Sequence, residues 1–165
     1  MLENRKVIIF DLDGTLIDSL GVWNQVDEEL ILKIRASTAP LPTNIQKQRD
    51  EILRKFSKVS NPYWCYCDFL KQLYQSELSA DEIHSLRYEI ARNYLENKID
   101  YKPYAAEFLH FLKNKGYILA LATTTKRTNV DIYCTKNKNI LGKANISELF
   151  TLIYTCLLYT SPSPR

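Results

Sequence analysis

Two aspartates one residue apart, Asp11 and Asp13, follow the apolar run Val7-Ile8-Ile9-Phe10 and precede Gly14-Thr15-Leu16. Two carboxylates this close repel, by about 4 kcal/mol for charges ~4 Å apart at an effective dielectric of ~20. A hard cation that prefers oxygen ligands, such as Mg2+, removes that penalty. The plainer alternative is a surface turn in which the aspartates act as turn formers.

The elements that must position the pair can be read on either side of it. Val7 to Phe10, rich in β-branched residues, reads as a strand buried on both faces. Asp11 and Asp13 then stand at its C-terminal end, where open α/β sheets place their ligand sites. Strand alternation would put both side chains on one face, but Gly14 lets the backbone turn sharply and can re-aim Asp13. A second apolar strand, Tyr117 to Ala122, ends in Thr123-Thr124-Thr125. Hydroxyls and backbone N–H groups at a strand end beside a helix start suit an anion. Thr125 or Thr128 serves equally well as a helix N-cap. A strand, a long crossover and a second strand argue for a parallel sheet.

The run of apolar strand, Asp-x-Asp-Gly-Thr and apolar residue resembles the first motif of the haloacid dehalogenase-like superfamily of phosphohydrolases. The resemblance implies that Asp11 is the nucleophile that forms an aspartyl-phosphate. It implies that Asp13 is the general acid/base, protonating the leaving alcohol and then activating water. Mg2+ is implied as cofactor, held by the Asp11 carboxylate and the Asp13 backbone carbonyl. Thr123 resembles the family's second motif, and with Thr124, Gly14 and Thr15 it is implied to bind phosphate. The acid at position 13 favours phosphate esters, because the superfamily's dehalogenases and phosphonatases lack one there. The family also needs a lysine and an acidic pair beyond its third core strand, and no residue here matches them.

Between the two motifs the spacing predicts helices. One runs from about 17 to 36 through Leu20, Trp23, Val26, Leu30, Ile31 and Ile34, with Asp18 or Ser19 as its cap. A break at 38–42 precedes a second helix, from Thr43 to about 58, with a Thr43/Gln46 capping box. A third starts at Asn61-Pro62 and runs to about 76. A fourth, with a Ser79/Glu82 capping box, runs to about 97. Four helices placed there resemble the family's cap, which in relatives closes over the site and selects the leaving group. A bundle packed for stability alone is the alternative. A further helix follows from Pro103 to Lys115, with Phe108, Leu109 and Leu112 inward and Gly116 after its end. Another covers about 126–137, and Thr151 to Thr155 reads as a third strand.

Composition sets the outer bounds. The 165 residues are 25% charged and 45% hydrophobic, an ordinary globular balance, and the net charge of +3 implies no nucleic-acid partner. No apolar run approaches the ~20 residues that span a bilayer, and no signal peptide is visible, so a cytoplasmic location is expected. Cys65 and Cys67 have no second pair nearby to complete a zinc site. The last ten residues, 156–165, break with the composition upstream. They back-translate to a string resembling a transposon-end sequencing adaptor, so the natural protein is expected to continue past Thr155.

The expected fold is α/β: a partial Rossmann-like parallel sheet with an inserted four-helix cap. Its core is expected over 1–15 and 101–155 and its cap over 16–100. The expected parent is a Mg2+-dependent phosphatase of a small phosphorylated metabolite, with this chain an inactive N-terminal fragment. A phosphomutase of the same family, or a non-catalytic scaffold, are the alternatives.

Overall fold

The computed structural model describes residues 6–35 and 41–156, the side chain of Cys156 excepted. Most of the expected break at 38–42 and all but the first residue of the expected adaptor translation lie outside the described residues. In chain order the elements are β1 (Val7–Phe10), α1 (Val22–Ile34), α2 (Ile45–Lys55), α3 (Pro62–Tyr74) and α4 (Ala80–Asn97). There follow α5 (Ala105–Asn114), β2 (Ile118–Lys126), α6 (Arg127–Thr135), α7 (Lys138–Lys143), α8 (Ile146–Leu149) and β3 (Phe150–Cys156). Two compact units result, one of residues 1–20 with 95–165 and one of 21–94.

The sheet-bearing unit is α/β. Its three strands are parallel in the order β1-β2-β3, with Val7 opposite Ile118 and Phe10 opposite Leu121. The central strand is the apolar one, with Leu119, Ala120 and Leu121 buried. β1 corrects an expectation. It is not covered on both faces: Val7 is 55% and Ile9 68% exposed, while Ile8 and Phe10 point the other way and are half-buried. Among the described residues β1 is an edge strand, and alternation leaves one of its faces open. Phe10 meets Phe108 of α5 and Phe150 of β3 edge-on, with ring centroids 6.4 and 6.2 Å away. Phe108, expected inward, makes that contact at the rim and stays half exposed.

Past β1 the chain folds back on itself. The Leu12 carbonyl accepts from the N–H groups of Thr15, Leu16 and Ile17, and Gly14 takes φ +73° to close the turn. Leu12, Leu16 and Ile17 are buried beneath it. Residues 16–18 stay with the sheet because their backbone pairs with the returning chain. Asp18 N–H donates to the Asp100 carbonyl and Lys102 N–H to that of Leu16, each at 2.9 Å. Asn137, fully buried, donates to the carbonyls of Leu95 and Ile99 at 2.7 and 3.0 Å, tying the returning chain to the α6–α7 corner.

The helical unit packs Val26, Leu30, Ile31, Tyr66, Leu70, Ile83 and Ile90 into one core. Two of its helix starts follow the local signals. Asn61 accepts from Trp64 N–H with Pro62 in the first turn, and Ser79 and Glu82 exchange bonds as a capping box. Two do not. α1 begins at Val22 after a left-handed Gly21, so neither Asp18 nor Ser19 caps it, and Leu20 lies exposed outside the helix. α2 begins at Ile45 after Asn44, and Gln46 accepts from Asn24 Nδ2 instead of completing a box with Thr43.

Candidate active site

Asp11 is the first residue beyond β1 and is exposed. The turn that Gly14 closes brings Thr15 back over it, and Thr15 Oγ1 donates to Asp11 Oδ2 at 3.3 Å. The N–H groups of Gly14 and Thr15 are engaged inside this turn, on the carbonyls of Ile17 and Leu12. What Thr15 adds to the surface of the site is therefore its hydroxyl.

Asp13 is aimed elsewhere. Half-buried, it accepts at Oδ2 from the hydroxyl of Thr125, which comes from the end of β2. The two aspartates, adjacent in sequence but for Leu12, thus have separate partners. Leu12 between them is fully buried and anchors the turn.

At the end of β2 the ladder to β3 is irregular. Thr123 is opposite Thr155 and Lys126 opposite Cys156, which leaves Thr124 and Thr125 fitted in where β3 advances by a single residue. Thr124 is exposed; Thr123 is buried. The Thr123 hydroxyl donates to Thr125 Oγ1 at 3.1 Å and accepts from Thr125 N–H at 3.2 Å. Thr123 thus joins Asp13 through Thr125. Neither Thr125 nor Thr128 caps α6, whose preceding residue is Lys126 with no side-chain cap.

Two residues near Asp13 carry no special mark in the sequence. Thr125 was readable only as a possible N-cap, although alternation already puts it on the same side as Thr123. Tyr133 of α6 is almost fully buried, and burial, with the Asp13 charge as a smaller cause, holds its phenol above the usual range. Its sequence signal was that of a core aromatic and nothing more. Among the described residues no three His, Cys, Asp or Glu side chains gather as a metal cluster. No helix of the described residues is long and apolar enough to cross a membrane.

Comparison with known proteins bears on the family and the fold. The family model described as haloacid dehalogenase-like hydrolase matches residues 5–155. No curated protein matches the chain. Similar solved structures include a Thermotoga maritima protein assigned as a beta-phosphoglucomutase, 18% identical with a TM-score of 0.64, over 91% of this chain and 61% of that one. A Haemophilus somnus protein assigned as a phosphoglycolate phosphatase is 23% identical with a TM-score of 0.55, over 97% and 66%. CbbY from Rhodobacter sphaeroides, in complex with phosphate, is 20% identical with a TM-score of 0.55, over 95% and 66%. At these identities the likeness is one of fold. The chain spans 61% to 66% of the length of these three neighbours.

Proposed function

The chain belongs to the haloacid dehalogenase-like hydrolases, and from that premise we propose that the whole protein hydrolyses the phosphate monoester of a small metabolite. Asp11 attacks phosphorus, and Asp13 gives its proton to the departing alkoxide. Asp13 then takes a proton from the water that attacks the aspartyl-phosphate, releasing inorganic phosphate and restoring Asp11. Splitting one displacement into two steps in this way needs a nucleophile and an acid with separate environments. The observation that carries the reading is that separation: Asp11 sits exposed against Thr15, while Asp13 sits half-buried against Thr125.

Mg2+ belongs to the proposal. It takes one or two carboxylates together with water and phosphate oxygens, so oxygen donors at an exposed strand end fit it. The Asp11 carboxylate and the Asp13 backbone carbonyl would hold it. When bound it neutralises charge on the transferring phosphoryl oxygens. Phosphate contacts are assigned to Thr124, exposed at the end of β2, to the Thr15 hydroxyl and to Thr123. Thr123 would turn its hydroxyl proton from Thr125 Oγ1 to phosphate while still accepting from Thr125 N–H. Gly14 supplies the turn rather than a donor, since its N–H bonds Ile17. The helical unit of residues 21–94, inserted directly after the aspartate-bearing turn, is assigned the role of the cap that selects the leaving group.

Acid quenching of the protein during turnover of a 32P-labelled ester tests the reaction. The expected result is a base-labile label on the wild type and none on Asp11→Asn, with inorganic phosphate as product. Turnover of Asp11→Asn at the wild-type rate removes Asp11 as nucleophile.

A further inference from the structure

Thr125 occupies a position that its place at a strand end does not by itself require. The irregularity between Thr123 and Lys126 adds two residues to β2 where β3 takes one step. Bulges of this kind re-aim a side chain and recur beside active sites. The side chain at this irregularity is that of Thr125, whose hydroxyl donates to Asp13 Oδ2.

Both polar groups of Thr125 are fixed from behind. Its Oγ1 accepts from the Thr123 hydroxyl at 3.1 Å, and its N–H donates to Thr123 Oγ1 at 3.2 Å. Each hydroxyl has one proton to give, so the run from Thr123 through Thr125 points toward the carboxylate. Thr123 is itself buried, and Tyr133 of α6 lies near enough to feel the Asp13 charge. The donor thus stands on a strand and beside a packed helix rather than on a loose loop. That is the arrangement by which a supporting group holds a reacting one.

We propose that Thr125 is the positioning residue for Asp13, holding one carboxylate oxygen so that the other is presented to the leaving group. This rests on the reading of Asp13 as general acid/base. Thr125 acts through Asp13 and makes no contact with the reacting phosphorus. A misplacement of about 1 Å costs on the order of 10²-fold in rate, which sets the size of the expected effect.

Thr125→Val, Thr125→Ser and Asp13→Asn are compared by steady-state release of inorganic phosphate from an alkyl phosphate, glycerol 2-phosphate, with Mg2+, since an alkoxide leaving group needs the proton. The three-bond couplings across the Asp13 Cα–Cβ bond are measured by NMR on the same proteins. Thr125→Val is expected to lower kcat by about 10²-fold with KM unchanged, and to average the Asp13 couplings over several rotamers. Thr125→Ser, which keeps the donor, is expected to restore both. Wild-type kcat and a single Asp13 rotamer in Thr125→Val, with Asp13→Asn inactive, would overturn the proposal and leave the acid/base reading standing. Asp13→Asn turning over like the wild type would instead overturn that reading. The couplings decide alone if the chain shows no turnover, and Thr125→Ala replaces Thr125→Val if the valine does not fold.

Discussion

Arg87 Nε donates to Asp27 Oδ1 at 2.8 Å across 60 residues of sequence, inside the helical unit. Arg49 Nη1 takes the other oxygen of the same carboxylate at 2.7 Å. Asp27 is fully buried and both arginine side chains are nearly so. The Arg87 guanidinium also lies over the Tyr63 ring, 4.5 Å from its centroid. Both buried cations share this anion, and Arg49 Nε also pairs with the exposed Asp50 carboxylate at 3.5 Å.

That sharing makes the cost of mutation asymmetric. Asp27→Asn takes the buried carboxylate from both guanidinium groups, leaving Arg49 the weaker, exposed pair with Asp50, and is expected to cost about 3–5 kcal/mol. Arg87→Met leaves the Asp27–Arg49 pair balanced and fills the space, so its cost should be less than half of that. Urea denaturation of the two variants measures the difference. Equal losses would mean that the arginines do not share the carboxylate in solution.

Gly14 is the residue on which the aspartate turn depends. Its φ is +73°, and a Cβ there would stand 3.1 Å from Leu20 Cδ2. The left-handed region costs an L-residue about 1–2 kcal/mol. Gly21, at φ +79°, has nothing near its missing Cβ. Gly14→Ala should therefore lose more stability than Gly21→Ala, and it alone should also depress turnover. A reversed order in thermal melts would contradict the clash with Leu20.

The capping box of α4 gives a pH signature. Bonds from the Ser79 N–H and hydroxyl hold the Glu82 carboxyl below its ordinary value. A depressed carboxyl contributes stability above its unfolded pKa of about 4.3 and loses it as pH falls through the folded value. Glu82→Gln should be less stable than wild type at pH 7, and the gap should close as pH falls through the folded value. A gap that persists in acid would show that the charge is not its source.

The open face of the sheet carries Val7, Ile9, Leu152 and Tyr154, all more than half exposed. With β1 an edge among the described residues, such a surface favours pairing between copies. The apparent mass of the 165-residue chain from light scattering should rise with concentration. Ile9→Lys, which places a charge on that edge, should reduce the rise. An apparent mass independent of both would sink this expectation.

Local chemistry alone determined several features of this protein. Asn61-Pro62 and Ser79/Glu82 start helices because the capping atoms lie within three residues of the N–H groups they satisfy. The apolar periods of β1, β2 and the helices, and the Asp-x-Asp-Gly-Thr run after the first strand, likewise needed no distant partner. Other features were decided only by tertiary structure, because each depends on a group far away in the chain. Asp18 does not cap α1, since its N–H is drawn to Asp100. Gln46 turns to Asn24, and Asp27 finds its arginines in α2 and α4. The same holds at the site. The sequence places Asp11 and Asp13 side by side, but the parallel pairing of β1 with β2 brings Thr125 to Asp13 across 112 residues. Register is a property of two strands together, and a single strand's residues carry no record of which partner they will face.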